Sequence, residues 1–277
     1  MKTIALPSGE RIPALGMGTW MMGEDPARRS GEIAALQHGI DLGMTLIDTA
    51  EMYGEGASEN LVGAAVRGRR ERVFLVSKVY PHNAGRHTMP AACERSLERL
   101  GVECVDLYLL HWQGAVPLDE TVEAFERLRA AGKIRHWGVS NLDARDMKAL
   151  HAIPAGGHCA VDQVLYNLCR RGIEWDLLPW CQARGMPVMA YSPLEQAQLL
   201  RKRELVSLAA AHGATPAQLA LAWLLHRNGV IVIPKVAERR RVEENFGALD
   251  LVIDAELQSG LDRIFPPPTA PRPLEML

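Results

Sequence analysis

Asp48, Tyr53, Lys78 and His111 are residue types that together could run acid catalysis. A tyrosine phenol ordinarily titrates near pH 10, too high for ready proton donation at neutral pH. An ammonium close by, as on Lys78, favours the phenolate and is expected to lower that pKa. Asp48 could hold Lys78 charged and in place, and His111 could orient an acceptor oxygen by a hydrogen bond. Such a set suits a general acid facing a carbonyl that receives hydride. Each member has a plainer reading: Asp48–Lys78 as a structural ion pair, His111 as a satisfied core histidine. Chemistry is favoured because all four fall at the ends of consecutive strand-like runs. Trp20 and Trp112, also at strand ends, suit the apolar wall of a substrate pocket, with Met52 and Tyr80 as further candidates. His38, His151, His212 and His226 fall on helical stretches and carry no role.

The elements that must position these residues alternate along the whole chain. Short apolar runs (ALGMGTW, MTLIDTA, RVFLVSKV, VDLYLLHW, IRHWGVSN, CAVDQVLYN, PVMAYSPL, GVIVIPK) read as buried parallel strands. Amphipathic stretches between them, such as RRSGEIAALQHGIDLG, MPAACERSLERLG, LDETVEAFERLRAAGK and TPAQLALAWLLHRNG, read as helices, several stopping at glycine. Asp119 and Thr215 are expected N-caps, the latter followed by Pro216. Eight such units without a composition break predict a (β/α)8 barrel formed by one domain spanning residues 1–277. A doubly wound sheet is the alternative on pattern alone. In a barrel the site gathers at the C-terminal strand ends, which adds Ser140, Asn141, Gln163, Tyr191 and Lys235 to the four residues above. TIALPSGERIPAL predicts an N-terminal β-hairpin around Pro7-Ser8-Gly9 that caps the barrel floor. The proline-rich end, about residues 266–277, predicts an extended tail on the surface.

Of the 277 residues 48% are hydrophobic, enough to bury a core, and the formal net charge is −2. That balance gives no electrostatic case for nucleic acid or an anionic membrane surface. None of the five cysteines forms a C-x-x-C pair, and buried inert thiols are expected, at Cys104 and Cys159 in particular. No metal is expected. No signal core precedes the first strand and no window approaches the ~20 apolar residues of a membrane helix, so a cytoplasmic protein is expected. Gly54-Glu55-Gly56-Ala57-Ser58-Glu59 imitates a dinucleotide fingerprint, but Glu59 replaces the third glycine needed for close helix–strand packing.

The ordered stretches GMGTW, LIDTAEMYG, LVSKV, LLHW, GVSN, DQVLYN, AYSPL and IPK, between Met17 and about Asn245, resemble the aldo-keto reductase signature. The resemblance is closer to bacterial members of the methylglyoxal-reductase and 2,5-diketogluconate-reductase kind. It implies that Asp48, Tyr53, Lys78 and His111 form a catalytic tetrad, that cofactor binds first, and that the pro-R hydride is transferred. It implies an extended nicotinamide cofactor across the barrel mouth near Gly18 and Thr19. Ser140, Asn141 and Gln163 would bond its carboxamide, Tyr191 would stack on its ring, and the loop Ser192-Pro193-Leu194 would line its pyrophosphate. Glu195, where the family often has a small residue, should turn away from the phosphates. A helix start with Lys235, Arg239 and Arg241 suits an anion, although a solvated basic face competes for Arg239 and Arg240. Arg241 would meet the adenosine phosphate or adenine, and Asn245 the adenine. Val236 stands where a phosphate-binding serine is usual and Glu238 where a small hydroxyl residue is common. A carboxylate repels a 2′-phosphate yet accepts from a free 2′-OH, so NADPH use with NADH tolerance is expected.

Only QGAVPL separates Trp112 from the next helix, and the tail is short, which predicts an open, permissive site. Small 2-oxoaldehydes such as methylglyoxal are the first expectation, and sugar-derived ketones or aldoses the second. Monomer is the family default. Two other classes are carried: a Schiff-base aldolase using Lys78, against which Asp48 argues by keeping the amine protonated, and a non-catalytic cofactor-sensing barrel.

Overall fold

Apolar runs with both faces covered pair side by side into one parallel sheet of eight strands, in a computed structural model that describes residues 1–277. A two-stranded antiparallel hairpin, β1 (Thr3–Ala5) and β2 (Arg11–Pro13), precedes it. The sheet strands are β3 (Met17–Gly18), β4 (Leu46–Asp48), β5 (Phe74–Val79), β6 (Val105–Leu110), β7 (Ile134–Ser140), β8 (Asp162–Leu165), β9 (Val188–Tyr191) and β10 (Val230–Val232), neighbours in chain order. Bridges Leu15–Val232 and Gly18–Lys235 join its two edges and close the barrel. Gly18 donates its amide to Pro234 at 2.9 Å. A Cβ on Gly18 would lie 2.9 Å from the Ile233 carbonyl oxygen, so this approach of the edges requires glycine.

Helices α1 (Arg29–Leu42), α2 (Ala57–Val66), α3 (Met89–Leu100), α4 (Leu118–Ala130), α5 (Ala144–Ala152), α6 (Leu177–Gln182), α8 (Pro216–His226) and α9 (Arg239–Phe246) follow the successive strands. An extra helix, α7 (Arg203–Ala211), precedes α8, and α10 (Ala255–Ile264) follows the barrel. Thr215 caps α8 in a reciprocal box with Gln218, as its sequence predicts. Asp119 is not a cap. Extended Pro117 precedes α4, the helix begins at Leu118, and Asp119 sits in the first turn, where its charge complements the helix dipole. No single helix is long and apolar enough to cross a membrane.

The sheet separates two apolar regions. Outward residues such as Ile47, Leu75, Tyr108, Trp137 and Val164 pack against the helices. Inward residues Leu46, Val76, Leu107, Leu109, Val161, Met189 and Ile231 fill the barrel together with Leu6 and Ile12 of the hairpin, which plugs the floor as predicted. The hairpin turns at Gly9, with φ 88°. Cys93, Cys159 and Cys181 are buried free thiols, and burial pushes Cys93 up to about 12. Cys104 is only partly buried, since it lies on the turn before β6 instead of inside the strand, and Cys169 is exposed.

Asp162, on the outward face of β8, is fully buried and neither carboxyl oxygen has a hydrogen-bond partner. Burial, the largest influence, holds its pKa well above the ordinary value; the nearby Leu142 backbone opposes this only in part, and Asp143 and Asp146 add to the rise. The folded state therefore keeps a proton that the unfolded chain releases, so this group's stability contribution is complete below the unfolded pKa and is lost as pH rises above it. Asp162→Asn should raise stability by about 1–3 kcal/mol at pH 8, and by less at pH 5. Denaturant titration at the two pH values checks this, and a gain independent of pH would count against a protonated carboxyl.

Candidate functional site

Above the apolar layers the inward position of nearly every strand becomes polar. Leu46 is followed two residues on by Asp48, Val76 by Lys78, Leu109 by His111, Gly138 by Ser140, Val161 by Gln163 and Met189 by Tyr191. Alternation along the strands thus delivers one polar ring to the C-terminal mouth. A cavity of about 380 Å³ opens there, within the range of small-molecule sites.

Lys78 is completely buried, and its Nζ donates to Asp48 Oδ2 at 2.7 Å, to the Thr49 carbonyl at 2.9 Å and to the Tyr53 hydroxyl at 3.1 Å. All three ammonium protons are therefore in use. Burial alone would lower the Lys78 pKa, but Asp48 and then Tyr53 outweigh it and the pKa is raised. A charged amine with no lone pair to offer is unsuited to Schiff-base chemistry. Asp48 is fixed in turn, its Oδ1 accepting from Gln163 Nε2 at 2.8 Å.

Tyr53 starts a tight turn, Tyr53–Gly56, before α2, where Gly54 and Glu55 have positive φ. The phenol pKa is raised, contrary to the lowering expected from the sequence. Burial is the largest influence and acts upward, Lys78 pulls downward, and Asp48 pushes up again. Lys78 therefore limits the rise and stands ready to stabilise a phenolate, while the resting phenol stays protonated. The His111 ring meets Tyr53 edge-on at 5.8 Å between centroids. Burial, with Lys78 adding to it, pushes His111 down to about 2, so the imidazole is neutral and hydrogen-bonds without acting as a charged acid. Its Nδ1 has no partner within the protein.

Gly18, Thr19, Trp20, Asp48, Met52, Tyr53, His111, Trp112, Ser140, Asn141, Gln163, Tyr191, Ser192 and Lys235 all line the cavity. Asn141 holds a positive φ of 63°, fixed by bonds from its Nδ2 to the His111 carbonyl and from Tyr191 OH to its Oδ1. The Thr19 hydroxyl donates to the Asp48 carbonyl, so Thr19 shapes the wall and offers no free donor. Tyr80 does not reach the cavity: it stacks on His82 and stands edge-on to Trp112, its amide held by Glu51. Leu194 packs on the outer core instead of into the mouth. Glu195 turns inward, its carboxylate buried against Arg170 and Asn167.

Glu238, Arg241 and Asn245 lie outside the cavity, at and along α9, which packs against α1. Asn245 is buried, Arg241 pairs with Glu244 at 2.7 Å, and Arg239 donates to His38. Val236 is sealed in the core, and Glu238 precedes the helix without capping it. Lys235 Nζ reaches the Met21 carbonyl at the rim. Glu59, the residue that spoils the fingerprint, is buried and binds Ser77 and Arg99, pinning α2 to β5 and α3.

The tail lacks regular structure, as predicted, but it is not merely a surface strand. Met276 and Leu277, both exposed, form part of the cavity wall at its rim. Gln196 and Ile233 were likewise missed. The one signal for the tail was an apolar pair ending a polar, proline-rich segment.

The sequence profile of the Aldo/keto reductase family matches residues 14–265. A methylglyoxal reductase of Escherichia coli is 51% identical over 281 residues, covering 100% of this chain and 99% of the relative. A glyoxal reductase of Bacillus subtilis is 33% identical, over 95% and 92% of the two chains. Among solved structures, an aldo/keto reductase of Klebsiella pneumoniae in complex with NADP and acetate superposes with a TM-score of 0.97 at 53% identity, covering 100% of this chain and 99% of that one.

Proposed function

Because this chain belongs to the aldo/keto reductase family, we propose that it reduces small aldehydes and ketones to alcohols with NADPH, 2-oxoaldehydes such as methylglyoxal being favoured. The observation that carries this reading is the hydrogen-bonded chain Asp48–Lys78–Tyr53, set beside neutral His111 in a cavity sized for a small ligand. The reading takes residues 1–277 as one functional unit, a cytoplasmic monomer whose carbonyl reduction belongs with the oxidoreductases of CH–OH donors.

The residues present fit the nicotinamide end of the cofactor. Gln163 spends its amide nitrogen on Asp48 and Met189, which leaves Oε1 free as an acceptor toward the cavity. Ser140 and Asn141 stand beside it, where they would complete a carboxamide site, with Tyr191 as the flat wall. Gly18, Thr19 and Ser192 would shape the pyrophosphate path, and Lys235, Glu238, Arg241 and Asn245 the adenosine end. When bound, the nicotinamide supplies hydride to the carbonyl carbon. Tyr53 gives its phenolic proton to the carbonyl oxygen as charge develops there, and Lys78 stabilises the phenolate left behind. Asp48 holds Lys78 charged. His111 orients the oxygen by a neutral hydrogen bond, and Trp20, Met52 and Trp112 exclude water from the reacting face.

The direct test follows NADPH absorbance with methylglyoxal, glyoxal and an aldose panel. Turnover highest with methylglyoxal is expected, turnover only with sugars would favour the sugar-reductase reading, and no carbonyl-dependent oxidation would defeat the proposal. Borohydride trapping with substrate should leave Lys78 unlabelled. With Val236 buried and Glu238 facing solvent, discrimination against NADH should be incomplete. The NADPH/NADH ratio of kcat/KM should stay below roughly a thousandfold, and a larger ratio would show that Glu238 does not weaken the phosphate site.

A further inference from the structure

We propose that Arg170 is a positioning residue that clamps the C-terminal segment as a wall of the substrate pocket and so sets carbonyl size selectivity, a step that rests on the reductase reading above. Its guanidinium binds two carboxylates from distant parts of the chain. Nε and Nη2 reach Glu195 Oε1 at 2.8 and 2.7 Å, and Nη1 reaches Glu275 Oε1 at 2.5 Å. The other Glu195 oxygen accepts from Asn167 Nδ2 at 2.7 Å, and the same nitrogen donates to the Ser192 carbonyl at 2.9 Å. One node therefore joins the loops after β8 and β9 to the tail. The residues that follow Glu275, Met276 and Leu277, line the cavity rim together with Ser192 and Gln196 of the β9 loop.

The two legs of the clamp differ in character. Glu195 is 7% exposed, against 38% for Glu275 and 35% for Arg170, so the inner leg is fixed and the outer leg is open to water. The β9 loop holds Ser192, Glu195, Gln196 and Ala197 at φ of 45°, 47°, 50° and 68°, a backbone that side-chain-bearing residues adopt only when their surroundings hold them. Buried, bonded Glu195 supplies that hold. Arg171, the next residue, binds Asp262 at 2.7 Å and the Phe265 carbonyl at 2.5 Å, so the tail is tethered at its start by Arg171 and near its tip by Arg170. Between the two tethers the chain has no regular secondary structure; Leu274 packs on the outer core, and beyond it the exposed Arg170–Glu275 pair is the ion pair that precedes Met276 and Leu277.

Glu275→Gln in the full-length protein releases the outer leg and leaves Glu195 bonded. Amide exchange across residues 274–277 should quicken about two- to fivefold, the range of an exposed ion pair. The kinetic loss on methylglyoxal should fall on KM by a similar factor, about two- to fivefold, while the kcat/KM ratio of phenylglyoxal to methylglyoxal rises as the wall loosens. Glu275→Asp, which keeps the charge, should recover part of both effects. Unchanged exchange in Glu275→Gln would overturn the clamp, and faster exchange with an unchanged substrate ratio would overturn its role in selectivity. A wild-type chain inactive on every carbonyl would defeat the reductase reading, and the exchange comparison would still decide whether Arg170 holds the tail.

Discussion

Tyr53→Phe should lower kcat for methylglyoxal by about 10²- to 10⁴-fold, the range for a positioned general acid, with NADPH affinity close to that of the parent. Phenylalanine keeps the ring that meets His111 edge-on and removes only the hydroxyl that Lys78 donates to. No neighbour can substitute. The Lys78 proton that the variant frees sits on an ammonium whose pKa Asp48 raises, so it is held instead of donated, and burial keeps His111 neutral. Because burial raises the phenol pKa above its ordinary value of 10.0, the proton-donating form is complete through neutrality. The wild-type kcat/KM should then be flat from about pH 6 to about pH 9, without a limb in the histidine range. Steady-state kinetics and a fluorescence titration of NADPH check both statements. Retained turnover in Tyr53→Phe would refute the assignment.

The difference between the expected and observed Tyr53 pKa shows what one sequence can and cannot carry. The type and order of Asp48, Tyr53, Lys78 and His111 are legible because a barrel strand has period two and its C-terminal end is the site by construction. The sign of a pKa shift is a contest between burial and charge, and the sequence supplies the charges without the depth. Thr215 was legible as a cap because Pro216 follows it at the first helical position, whereas Asp119 failed because Pro117, already extended, lets the helix begin ahead of it. The Arg170–Glu195–Glu275 node joins positions 25 and 105 residues apart, with no periodicity to announce it. Tyr80 was placed in the wall by its position after β5, but the loop turns there through Pro81, and Glu51 draws the Tyr80 amide away from the mouth.

Lys78→Met should destabilise the fold by about 3–5 kcal/mol and reduce turnover by about a thousandfold, and the two losses can be separated. Methionine replaces an unbranched side chain in a completely buried position but has no proton to give. The Asp48 carboxylate would keep only Gln163, the Thr49 carbonyl would lose its Lys78 donor, and the Tyr53 hydroxyl would lose the partner that stabilises its phenolate. An uncompensated buried charge accounts for most of the stability loss, so neutralising both partners should reverse it. Asp48→Asn with Lys78→Met should therefore approach wild-type stability in denaturant titration and still turn over as slowly as the single variant. That outcome separates a catalytic pair from a structural one: if Asp48 and Lys78 only held the barrel together, restoring stability would restore the rate. A double variant that is both stable and active would remove Lys78 from the chemistry and leave Tyr53 to act without the ammonium 3.1 Å from its hydroxyl.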